Sequence, residues 1–96
     1  MKVIWSARAV MDLEDIQAYI AKDNASYAPV FAARLLKATR HLPEFPLSGR
    51  IMPEAQQSDI RELLFQDYRI VYRVTTKQIE IVMVVHGSRN LENLIV

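Results

Sequence analysis

Five arginines and one histidine carry the chemistry available to this sequence: Arg50, Arg61, Arg69, Arg73, His86 and Arg89. His86 closes an apolar, β-branched run and is followed by Gly87, a position that presents an imidazole at the rim of a sheet. Imidazole is the side chain best suited to acid–base work near neutrality. Arg89 falls in the same turn, where a guanidinium can grip a phosphate or carboxylate through two parallel hydrogen bonds. Arg69 and Arg73 occupy alternate places in YRIVYRV, and Arg61 stands in the preceding run, IRELLF. The plainer alternative is that these arginines pair across strands with Glu62, Asp67 and Glu80, at a few tenths of a kcal/mol each (about 0.2–1). His86 has a structural alternative too, and Arg50 has that of a solvated surface cation. The chain has no cysteine, and its two histidines, His41 and His86, stand far apart. Nothing has metal-ligand spacing, and no glycine-rich phosphate loop or Ser/His/Asp order is present, so no metal or cofactor is expected.

Side chains can cooperate only if the backbone gathers them. Lys2 to Trp5 reads as a strand and Ser6 as a helix N-cap. Ala7, Val10, Met11, Leu13, Ile16 and Ile20 then recur at helical intervals over about 15 residues, ending in the polar turn Lys22-Asp23-Asn24. Ser26 reads as a second N-cap, Pro29 falls in the first turn of the next helix, and Pro43 stops it. The short connection predicts a helical hairpin. Glu44 to Gln57, broken by Pro46, Gly49 and Pro53, reads as loop. From Ser58 the period becomes two: Ile60 to Phe65, Tyr68 to Val74 and Ile79 to Val85 form an antiparallel meander.

The resulting order is β-α-α-β-β-β, an α+β two-layer sandwich with the helical hairpin packed on an antiparallel sheet that the first strand joins. Strict alternation puts Tyr68, Ile70, Tyr72, Val74, Ile79, Ile81, Met83 and Val85 under the helices. The opposite face then collects Arg69, Val71, Arg73, Glu80, Val82, Val84 and His86, with Arg61 nearby, as a cationic surface. Asn90 to Val96 reads as a short helix or an edge strand.

Size and composition bound the rest. The 96 residues are expected to form a single domain, 1–96, with one small core. Hydrophobic residues are 51% of the chain and charged residues 24%, which excludes a disordered class. A net charge of +1 is too small to signal nucleic-acid binding by itself. MKVIWSARAVMDLEDIQ lacks the apolar core of a signal peptide, and the longest apolar run falls far short of a membrane span. A soluble, cytoplasmic protein without membrane partners is expected.

The segment LSGRIMPEAQQSDIRELLFQDYRIVYRVTTKQIEIVMVVHGSRNL resembles the C-terminal half of ParE/RelE-type toxins. It has the SGR loop, an IREL strand, a YRIVYRV strand, and an I-x-I-x-x-V strand ending in HGSR. The N-terminal strand, the A-x-x-D-L-x-x-I helix and the second amphipathic helix agree in order and length. The resemblance implies a bacterial type II toxin neutralised by a cognate antitoxin, with operator DNA reached only through that antitoxin. It leaves two targets. A ParE-like toxin poisons DNA gyrase and needs no bond-making group; Arg61, Arg69, Arg73, His86 and Arg89 would then be target contacts. A RelE-like toxin cleaves mRNA on the ribosome, with Arg61 and Arg89 holding phosphate and His86 as acid–base group. The HGSRNL ending and the lack of any tyrosine beyond Tyr72 favour the ParE-like branch. An inert homologue that only binds antitoxin would share the same sequence features.

Overall fold

The computed structural model describes residues 1–89 and residue 91. β1 (Lys2–Trp5) leads into α1 (Ala7–Asp23) and α2 (Tyr27–Ala38), followed by β2 (Arg50–Ile51), β3 (Ile60–Phe65), β4 (Tyr68–Val74) and β5 (Gln78–His86). Ser6 caps α1, its hydroxyl accepting from the Ala9 N–H at 3.0 Å. Ser26 makes no side-chain cap bond. Asn24 does that work instead: its Oδ1 accepts from the Tyr27 N–H at 3.1 Å and from the Ser26 hydroxyl at 3.0 Å. α2 also ends before Pro43, where the Thr39 hydroxyl turns back to the Leu36 carbonyl at 2.8 Å.

The sheet order is β1-β5-β4-β3-β2. β3, β4 and β5 form the expected antiparallel meander, whereas β1 pairs with β5 in parallel, so the sheet is mixed. β2 lies within the segment read as loop, and pairs Arg50 with Glu62 and Ile51 with Arg61.

The alternation expected for β5 breaks in its middle. Val71 of β4 faces Met83 and Tyr72 faces Ile81, so Val82 is an extra residue and the strand carries a bulge. Beyond it the two faces exchange. Ile70, Tyr72, Ile79, Ile81 and Val84 pack under the helices with Ala9, Phe31, Leu35 and Leu42. Val71, Val82, Met83 and Val85 pack on the other face with Met52, Ile60 and Leu91. Met83 and Val85 were expected under the helices, and Val84 and His86 on the opposite side; the bulge reverses all four. Helix α1 anchors this irregularity. The Ser6 hydroxyl donates to the Val82 carbonyl at 2.8 Å, and the Asp12 carboxylate accepts from the Val84 N–H at 2.9 Å. These groups occupy the edge of β5 that β1 leaves uncovered, since β1 reaches only as far as Ile81. Two of the residues expected to form a short helix or an edge strand over 90–96 differ in standing: Leu91 is buried in the second core, while Asn90, like 92–96, lies outside the described residues.

Candidate functional site

The face away from the helices is not a cationic surface. At its centre Arg69 is 5% exposed and Glu62 1% exposed. The Arg69 guanidinium donates to Glu62 Oε1 from Nε at 2.8 Å and from Nη2 at 2.6 Å. It also reaches both Glu54 oxygens, at 2.7 and 2.6 Å. Arg50 Nε donates to the other Glu62 oxygen at 2.6 Å. Two guanidiniums thus meet two carboxylates, and the cluster is neutral. Hydrogen bonds from Arg69 hold the Glu54 carboxyl down at about 2, outweighing the desolvation that opposes them. The same contacts push Arg69 above its ordinary range. Arg69 is therefore an interior strut, and cross-strand pairing is the reading that describes it. Sequence alternation placed it on the correct face, but nothing local in the sequence marked Glu54, fifteen residues away, as its partner.

The SGR loop has its own physical reason. A Cβ on Gly49 would lie 2.6 Å from the Glu62 carbonyl oxygen and 2.6 Å from the Tyr72 hydroxyl, so only glycine fits. That hydroxyl accepts from the Gly49 N–H at 2.9 Å and donates to the Pro46 carbonyl at 2.8 Å. Burial raises the Tyr72 phenol above its usual pKa, keeping it a neutral donor. Arg61 closes the loop from the other side, donating to the carbonyls of Ser58 (2.9 Å), Leu47 (3.3 Å) and Gly49 (3.0 Å).

His86, the last residue of β5, and Arg89, beyond the turn that follows it, are exposed. The Gly87 N–H donates to the Asp67 carbonyl at 2.7 Å, tying this turn to the β3–β4 hairpin. Arg69 Nη1 holds the Arg89 carbonyl at 3.2 Å, and the Leu91 N–H reaches Glu54 at 3.3 Å. The buried ion network therefore fixes the backbone that carries Arg89. His86 meets the Tyr68 ring edge to face at 5.7 Å, on the helix side of the sheet. Its Nδ1 accepts from the Ser88 N–H at 3.2 Å and lies 2.7 Å from the Ser88 hydroxyl. An Nδ1 that accepts a backbone N–H leaves the ring proton of a neutral imidazole on Nε2. A shallow depression of about 340 Å³ lies beside the turn, lined by Arg50, Leu64, Tyr68, His86 and Ser88 among others.

The structure joins His86 and Arg89 through one turn, the Arg89 N–H donating to the His86 carbonyl at 3.1 Å, with Arg69 under the Arg89 backbone on the face opposite the His86 ring, and leaves Arg61 and Arg73 elsewhere. Arg61 faces Tyr72 and His86 faces Tyr68, four residues apart on β4, or about 13 Å along the strand. Arg73 is half-buried between Ile60 and Glu80, on the face opposite His86. No group of three or more His, Cys, Asp or Glu is placed to hold a metal among the described residues. No helix there is long and apolar enough to cross a membrane.

The fold matches a chain of the chromosomal ParDE TA system from P. aeruginosa with a TM-score of 0.77, at 19% identity over 90% of this chain and 95% of that one. It also matches a YoeB/ParE toxin from Agrobacterium tumefaciens with a TM-score of 0.62, at 16% identity over 90% and 98%. The family model for the ParE toxin of the type II toxin–antitoxin system parDE matches residues 3–91, and the chain belongs to that family. Y4kP of Sinorhizobium fredii, a candidate toxin, is 37% identical over 92% of this chain and 90% of its own length. Toxin RelE2 of Caulobacter vibrioides is 34% identical over 92% and 97%.

Proposed function

We propose that this ParE-family protein is a cytoplasmic toxin that binds DNA gyrase through the turn after β5, and that its cognate antitoxin neutralises it. The observation that carries the choice of target is the separation of Arg61 from His86. A nuclease must bring its acid–base group to about 2.6–3.2 Å from the proton it moves, with phosphate-binding cations around the same phosphodiester. Here Arg61 is bound to three carbonyls about 13 Å along the strand from His86. The His86 Nδ1 is also already engaged. Binding makes no such demand: His86 and Arg89 need only be exposed and held still, with Arg73 as an outlying contact.

The RelE-like reading retains one specific support, the 34% identity to a protein named RelE2. Purified protein tested side by side on gyrase and on a translating ribosome separates the two. Gyrase-dependent DNA cleavage that the antitoxin relieves is the expected result, and His86→Ala should then lower it only a few-fold. Messenger cleavage that falls about 10²–10⁴-fold in the same variant would overturn the proposal in favour of the enzyme. If neither activity appears although antitoxin binds, the protein is an inert antitoxin-binding homologue. The antitoxin is expected on the helical hairpin and the sheet edges, where β1 and the two-residue β2 leave backbone groups open to pairing.

A further inference from the structure

Arg50 is the member of the ion network that still faces water. Arg69 spends its Nε and both Nη groups on Glu54, Glu62 and the Arg89 carbonyl. Arg50 meets Glu62 Oε2 through Nε, at 2.6 Å, and through Nη2, which together form one edge of its guanidinium. The other edge, Nη1 with Nη2, makes no hydrogen bond or salt bridge from Nη1 among the described residues, and the side chain is 55% exposed. A planar guanidinium can bind a carboxylate on either edge. Because the Glu62 side chain is fully buried, it anchors the first edge and so fixes the direction in which the second one points.

Leu64 supplies the complement. It lies two residues beyond Glu62 on the same face of β3, and it is 62% exposed. Arg50 and Leu64 both line the hollow of about 340 Å³ beside the turn, together with Asp67, Gly87 and Ser88. The hollow thus joins one directed cation to one bare apolar side chain. A nucleic-acid duplex binds by neutralising several phosphates at once, and it would meet the Asp67 carboxylate here and gain nothing from Leu64. A single Asp or Glu beside an apolar residue uses both groups. We propose that this hollow extends the target-binding surface from the turn onto the face away from the helices. It takes a protein segment of the target, with a carboxylate for the open edge of Arg50 and an apolar side chain for Leu64. This inference rests on the reading that the turn binds a protein target, and adds to it the chemistry of the segment bound.

The test measures binding to purified gyrase without DNA, and separately to a linear DNA duplex alone, for the wild type, Arg50→Gln, Arg50→Lys and Leu64→Asp. Arg50→Gln should raise Kd for gyrase about tenfold. Leu64→Asp should raise it at least as much, since it removes the apolar contact and sets a like charge against the target carboxylate. Arg50→Lys keeps the charge but has no second donor edge, so it should recover little. Leu64→Asp, at an exposed position, should keep its melting temperature and its affinity for the antitoxin. Amide exchange on the wild-type complex requires no variant to fold: new protection at 49–50 and 63–65 is expected. Wild-type affinity in Arg50→Gln and Leu64→Asp, or unchanged exchange, while Arg89→Gln still weakens binding, would overturn the hollow and leave the turn as the target site. Full recovery in Arg50→Lys would show that charge alone suffices, and would overturn the carboxylate site. Lost affinity for the duplex with gyrase binding intact would make the hollow a nucleic-acid surface, and lost antitoxin binding in Leu64→Asp would assign it to the antitoxin; either overturns the proposal. A wild-type protein that binds no gyrase would bring down the target reading itself, and this inference with it.

Discussion

Arg69 and Glu62 are each almost entirely removed from water, and each satisfies the other's charge. Deleting one partner of such a pair strands the other, at a cost of about 3–5 kcal/mol, a large share of a small domain's margin. Arg69→Met should therefore lower the urea midpoint sharply, and any loss of toxicity should follow the loss of fold. Arg73→Gln, at a half-buried site with no salt bridge among the described residues, should stay within about 0.5 kcal/mol of wild type. The network also sets the acid limit. Glu54 is held at about 2 against an ordinary 4.5, so the folded state binds its proton less readily than the unfolded chain. The stabilisation is complete above about pH 4.5 and drains away as pH falls toward 2, by about 3 kcal/mol. Unfolding free energy measured across that window should fall steeply in the wild type, and less steeply in Glu54→Gln.

Among the elements, β5 decides which residues meet. Its bulge moves His86 to the Tyr68 side, out of the company of Arg69 and Arg73. Period-two reading fixed the strand and its first half correctly, through Ile79 and Ile81. It failed beyond Val82 because every residue from Ile81 to Val85 is apolar. With both faces buried, hydrophobic pattern carries no information about a one-residue shift. The signal lay far away, in Ser6 and Asp12 on the first helix. β2 was missed for a related reason: two residues are too few to show a period, and only pairing with Glu62 and Arg61 makes them a strand. Asp12→Ala leaves the Val84 N–H without its acceptor, and should cost about 1–3 kcal/mol. It should also shift the His86 and Tyr68 ring resonances in an NMR spectrum, because the bulge sets their contact. Unmoved rings would show that the bulge holds without Asp12.

For the whole molecule, element order and the two-layer arrangement were legible because each element carries its own period and cap, and the family motifs preserve their order. The location of exposed charge was not legible. The halves of the sequence are balanced, and only packing reveals that Arg61 and Arg69 are engaged internally while Arg34, Lys37 and Arg40 remain outside. Exposed Val10, Met11, Tyr19, Val30 and Leu36 on the hairpin leave apolar surface that a partner would cover. A partner that binds only the folded state raises stability by mass action, about 2.7 kcal/mol at one hundred times its Kd. The melting temperature of the toxin should accordingly rise with antitoxin concentration, in proportion to the logarithm of the excess.

The parallel pairing of β1 with β5 has a consequence in time. Ser6 finds its acceptor at Val82, a separation of 76 residues. At a synthesis rate of roughly 5–20 residues per second, the first strand waits about 4–15 s for its neighbour to be made. The helical hairpin, built from contacts near in sequence, can form long before then. During translation the hairpin is thus available for capture while the turn bearing His86 and Arg89 does not yet exist. On the proposal that this turn binds the target, an antitoxin already present meets its toxin before that toxin is competent to act.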